Sequence, residues 1–129
     1  MIDQKMMGAL QGIVPSCIIT CSKAGIPNAT YISQVYYVDD NHVAISNQFF
    51  NKTIKNIQDN PHASVSVVDP EDFSMWRLAL ELSHSETEGD TFDQMSIQLE
   101  AIASMTGMED IFKLKSSVIF EVKNVEKIA

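Results

Sequence analysis

The sequence predicts a single barrel-like domain of the α+β class, mostly β, in which six short antiparallel strands are joined by flanking helices. Three observations predict it. Short runs rich in Val, Ile, Thr and Tyr recur along the chain, each bounded by Gly, Pro, Asn or Asp. Between them lie segments whose apolar residues return at helical spacing, Phe50, Ile54 and Ile57 in one and Phe92, Met95, Leu99 and Ile102 in another. The 129 residues, 45% hydrophobic and 20% charged, suit one ordinary soluble core, residues 1–129, and no repeat, linker or low-complexity tract divides them.

Taken in order, Ile2, Met6, Met7 and Leu10 are spaced for one apolar face, which predicts a short opening helix over Ile2 to Leu10, closed by Gly12 and Pro15. Ser16 to Cys21 reads as the first strand, and Lys23-Ala-Gly-Ile-Pro-Asn28 turns it. Ala29 to Val38 reads as one strand, Asp39-Asp-Asn41 turns again, and His42 to Asn47 completes an antiparallel meander. Phe49 to Asp59 is an amphipathic helix ended by Asn60-Pro61. Two strands follow, Ala63 to Val68 and Met75 to His84, separated by Asp69-Pro70-Glu71-Asp72. In the second of them Trp76, Leu78, Leu80 and Leu82 alternate with Arg77, Glu81 and Ser83, the period of a half-buried strand. A helix over Asp90 to Met108 has Thr91-x-x-Gln94 as a capping box and Gly107 near its end. Val118, Phe120 and Val122 then alternate with Ile119, Glu121 and Lys123 in the last strand.

Nine basic against seventeen acidic residues give a net charge of −8, a field that repels polyanions and obliges any phosphate ligand to find a local cation. No nucleic-acid partner is expected. No apolar run approaches the ~20 residues of a membrane helix, and the opening residues mix Asp3, Gln4 and Lys5 with apolar neighbours rather than forming a secretory core. The expectation is a cytoplasmic protein without a membrane partner. Cys17 and Cys21 lie on one strand about 13 Å apart at ~3.3 Å per residue, too far for a disulfide, and read as free thiols. The histidines His42, His62 and His84 assemble no metal-ligand pattern, and no serine sits in a nucleophile elbow. Met95, Met105 and Met108 read as core filling, and Tyr31, Tyr36, Tyr37 and Trp76 as barrel core or subunit interface.

The stretch most open to a chemical reading is Ser46-Asn-Gln-Phe-Phe-Asn-Lys-Thr-Ile-Lys-Asn-Ile57, a strand end running into a helix with Lys52 and Lys55 in its first turns. Cations there oppose the helix dipole. That placement is useful when a phosphate sits at the helix start, taking backbone N–H bonds and an ammonium together, with Ser46, Asn47, Asn51 and Thr53 as further donors. It is equally the pattern of a solvated lysine face behind a polar N-cap.

The order Pro27-Asn-Ala-Thr-Tyr-Ile-Ser33, Val43-Ala-Ile-Ser46 and Phe50-Asn-Lys-Thr-Ile-Lys-Asn-Ile57, followed by Asn60-Pro61, resembles the FMN-binding split β-barrels related to pyridoxamine 5′-phosphate oxidase. The resemblance covers roughly Gly12 to Leu82. It implies a split barrel that binds FMN, with Thr30, Tyr31, Ile32 and Ser33 beside the isoalloxazine and ribityl chain and Lys52 on the phosphate. Ser46, Asn47, Gln48, Asn51 and Thr53 complete the implied cofactor site, and Arg77 is a further cation for it. It also implies a homodimer with the flavin at the subunit interface, and a small-molecule substrate or electron donor. Members that oxidise pyridoxamine phosphate carry arginines where this chain has Thr30 and Asn51, and a carboxy-terminal substrate segment that it lacks, so pyridoxal phosphate synthesis is not expected. Ser85-Glu-Thr-Glu-Gly89 resembles a feature of small members and has no assigned chemistry. The function implied is flavin-dependent oxidation or reduction; the alternative is a non-catalytic barrel that binds haem or deazaflavin, or serves as a sensor.

Overall fold

The computed structural model describes residues 1–47, 52–106 and 114–129. Seven strands and two α-helices are formed: β1 (Ser16–Cys21), β2 (Pro27–Ile32), β3 (Tyr36–Asp39), β4 (His42–Asn47), α1 (Lys52–Asp59), β5 (His62–Val68), β6 (Met75–Glu86), α2 (Asp90–Thr106) and β7 (Ser116–Lys127). All the strands pair antiparallel in the order β2-β1-β5-β6-β7-β4-β3. The sheet is not closed, because β2 and β3 are its two edges; this is a split barrel.

The expected six strands become seven at one place. The continuous β texture of Ala29 to Val38 breaks after Ile32, and the chain crosses from one edge of the sheet to the other before Tyr36. β2 therefore pairs with β1 and β3 with β4, so the first three predicted strands are two hairpins and not a meander. Strand propensity reports a preference for extended backbone and is silent about which neighbour is paired. The opening helix also contracts, to a 3-10 turn at Met7–Ala9. Asp3 turns the chain by accepting the Lys5 N–H, while Ile2, Met6 and Ala9 still bury their side chains. The capping box at Thr91 does not form: α2 begins at Asp90, and the Asp93 N–H is taken by the Gly89 carbonyl at 2.9 Å. Gly89 has φ +101°, a conformation that L side chains resist, and so turns β6 into α2. The predicted starts of α1 at Phe49 and ends of α2 near Gly107 lie outside the described residues.

One face of the sheet rolls around the main core of Ile18, Val43, Ile45, Val65, Leu78 and Phe120 with their neighbours. α1 and the opening segment cap this inner side, through Ile57, Ile2 and Met6. The outer face has two unlike halves. Over β3, β4 and β7, α2 lays Met95 against Tyr36, Ala44 and Ile119. Over β2, β1, β5 and β6 no described helix packs, and the register aligns Tyr31, Cys17, Ser66, Arg77 and Glu126 in one row across five strands. Cys17 and Cys21 are free thiols on this face. No helix among the described residues is long and apolar enough to cross a membrane.

Candidate functional site

α1 bridges the two sides of the split. Ile54 and Ile57 meet Ile18 of β1 on one side and Ile45, Val118 and Phe120 of β4 and β7 on the other, around a residual cavity of about 10 Å³. Asn56 adds a buried polar tie, its Nδ2 donating to Thr20 Oγ1 at 3.2 Å. The helix stops where Pro61 cannot continue it, with the Asn60 N–H donating to the Asn56 carbonyl at 2.7 Å. The apolar stripe thus fixes the rotation of α1, and the rotation fixes its first turn: Thr53 is buried, 5% exposed, while Lys52 and Lys55 point to solvent. Lys52 has no ion-pair partner among the described residues.

Thr30 stands in register with Ile18 on the inner side of edge strand β2. Thr53 borders the same cavity as Ile18, so Thr30 and the first turn of α1 share one level of the seam. Ile32, further along β2, is buried in the core, and Ser33 is exposed just past the strand end. Ser46 and Asn47 end β4, opposite Ser117 and Ser116. Asn47 Nδ2 donates to Ser116 Oγ at 3.2 Å, while its Oδ1 is buried without a hydrogen-bond partner among the described residues. Gln48 and Asn51 lie outside the described residues. The structure thus gathers Thr30, Lys52 and Thr53 at the seam, with Ser46 and Asn47 at the strand end that leads into α1.

Two predicted residues face elsewhere. Tyr31 points outward, 78% exposed, and Arg77 lies on the same outer face, three strands away, with Nη1 3.9 Å from Glu126 Oε2. The barrel wall separates Arg77 from α1.

Sequence reasoning missed a second concavity. Between β3 and the first turns of α2 lies an open cleft of about 380 Å³, lined by Gln34, Tyr36, Tyr37, Asp90, Gln94 and Gln98 among others. Gln94 and Gln98 are four apart on α2 and so share a face, the one signal that was legible. Gln34 was hidden inside a stretch read as strand. The Tyr37 hydroxyl donates to Asp40 Oδ1 at 2.7 Å, and this bond pushes the phenol above its usual range, so it stays neutral. Among the described residues no group of three or more His, Cys, Asp and Glu is placed to hold a metal ion.

The sequence profile of the pyridoxamine 5′-phosphate oxidase family matches residues 2–126. The chain belongs to that family. Among curated proteins none matches it, but solved structures share its fold. An FMN-binding protein from Syntrophomonas wolfei superposes with a TM-score of 0.79 at 18% identity, over 98% of this chain and 88% of that one. An F420 reductase gives 0.68 at 10% identity, over 97% and 98% of the two chains. HutZ, the heme storage protein from Vibrio cholerae, gives 0.59 at 14% identity, over 88% and 84%. A phosphate needs cations and hydroxyl or N–H donors; Lys52 is an exposed cation and Thr30 a half-buried hydroxyl that could hold one, while Thr53 is buried. Asn47 Oδ1 is an acceptor, and so suits a ribityl hydroxyl or a ring N–H and not the phosphate.

Proposed function

We propose that this protein is an FMN-binding flavoprotein and a flavin-dependent oxidoreductase, with the phosphate of FMN at the start of α1 and the flavin ring along β2. The observation that carries this reading is the placement of Lys52 and Thr53 in the first turn of α1, the helix that bridges the seam, at the level of Thr30 on β2, in a chain of this family. In a protein of net charge −8, a dianion requires a local cation, and Lys52 is an exposed one without an ion pair among the described residues. FMN supplies the hydride or electron chemistry; the protein supplies binding, orientation and field.

The active form in this reading is a homodimer, with the flavin at the interface. The uncovered outer face supports a second copy as occupant. Its small side chains, Ala29, Ser64, Ser66 and Ala79, let another sheet approach closely, and Ile19 and Tyr31 stand exposed among them. Arg77 would then belong to the interface. The two free thiols suit a reducing cytoplasm.

The test is titration of FMN and riboflavin against the parent and Lys52→Ala, read by flavin fluorescence. Loss of a charge-assisted hydrogen bond worth about 1.5–3 kcal/mol lowers FMN affinity roughly ten- to 150-fold. Riboflavin, which has no phosphate, is expected to bind both proteins alike. Equal FMN affinity for the two proteins removes Lys52 from the phosphate site.

A second reading keeps the barrel and changes the ligand to a deazaflavin or haem. It is favoured by the F420 reductase and the heme storage protein that share the fold, and by Thr30 standing where pyridoxamine phosphate oxidases carry arginine. The visible absorption spectrum of freshly purified protein separates these ligands.

A further inference from the structure

The cleft between β3 and α2 has a lining chemistry unlike that of the seam, although Gln34, on its wall, directly follows Ser33 at the end of β2. Its volume of about 380 Å³ falls in the range of small-molecule sites. We propose that this cleft binds an uncharged ring compound bearing a carboxamide or lactam group, and rejects anions.

The walls carry three primary amides, on Gln34, Gln94 and Gln98, and none has a hydrogen-bond partner among the described residues. Each offers a carbonyl acceptor and an NH2 donor in one plane, the complement of another amide edge. Gln34 is held close to the backbone of Gly12, where a side-chain carbon would come within 3.0 Å of its Oε1. The floor is apolar and aromatic: Tyr36 and Met95 are buried beneath the cleft, with Val38 and Leu10 beside them. That floor accepts the face of a ring while the amides read its edge.

Charge decides against anions. Among the described residues no Lys, Arg or His lines the cleft, and Asp90 is its only charged residue. Asp93 stands in the same first turn of α2, and Asp39 and Asp40 lie at the end of β3. The start of α2 carries the dipole equivalent of about half a positive charge, which two carboxylates on that turn outweigh. A phosphate ester or carboxylate would meet net negative potential here. The cleft's preference for uncharged amides does not depend on the flavin reading.

Nicotinamide and nicotinate are the matched probes, one ring bearing an amide or a carboxylate. Each is titrated against the full-length protein, with and without FMN, and followed by amide NMR shifts. Nicotinamide is expected to shift the side-chain amides of Gln34, Gln94 and Gln98, and to bind about tenfold or more tightly than nicotinate. In Gln94→Lys the order of the two probes is expected to reverse. Gln98→Ala is expected to weaken nicotinamide about fivefold or more while leaving the unfolding midpoint in place. Equal affinity for the two probes, shifts centred away from the cleft, or no shift at the glutamines overturns the proposal. Cleft binding in a protein that takes up no FMN leaves this inference standing and defeats the flavin reading, and FMN uptake with a silent cleft does the reverse.

Discussion

Lys52 and Thr53 are neighbours in sequence and opposites in environment, one solvated and one buried against Ile18 and Ile45. This contrast decides how variants at the two positions are read. Lys52→Ala removes no packing, so its effect on flavin is expected without a change in stability. Other single residues make claims independent of any ligand. Asp39 accepts the Asn41 N–H at 2.8 Å and meets the His42 ring at 2.9 Å, and these bonds, the backbone one first, hold its carboxyl below the ordinary value. A carboxylate whose pKa falls on folding contributes stability that is present above the unfolded value, near 3.9, and lost as pH drops through the lower folded value. Asp39→Ala is therefore expected to cost about 0.5 kcal/mol near neutral pH, by urea unfolding, with the difference closing below about pH 4. Phe73 is 74% exposed and holds φ at +60°, a left-handed conformation that bulky residues resist. Phe73→Asn should raise stability by about 0.5–1 kcal/mol, seen as a higher melting temperature.

At the level of elements, α1 shows what a short amphipathic pattern can and cannot reveal. Ile54 and Ile57 announced a helix with one apolar side, and that side does enter the core. The sequence had no way to say that the helix would straddle a split, since this depends on which strands become edges. Likewise Thr30 was legible as a β residue near a turn, but its inward face follows only from pairing with Ile18. Arg77, grouped with Lys52 by charge alone, proved to stand behind the barrel wall, because alternation along a strand fixes the face and not the partner across the fold. If α1 is the clamp that positions the first turn, loosening it harms binding indirectly. Ile57→Ala, at a residue 3% exposed, is expected to cost about 2–4 kcal/mol in chemical denaturation. It should weaken FMN and riboflavin together, in contrast with the selective loss expected for Lys52→Ala.

For the whole molecule, the bare half of the outer face sets the expected assembly. A carboxylate at position 31 would leave an uncompensated charge in an interface formed there, so Tyr31→Glu is expected to shift a dimer to monomer in light scattering at micromolar concentration. A parent that is already monomeric would remove the interface from the proposed site. The crossing from β2 to β3 has a mechanical meaning as well. In a flat sheet of seven strands, six spacings of about 4.8 Å would hold the outermost strands roughly 29 Å apart. The chain from Ile32 to Tyr36 reaches at most about 14 Å when stretched out. The link is too short for a flat sheet, so it obliges the strands to roll up. Six antiparallel steps leave β2 and β3 running the same way, so the link ties the end of one lip to the start of the other, and a few residues inserted after Ser33 would slacken that tie.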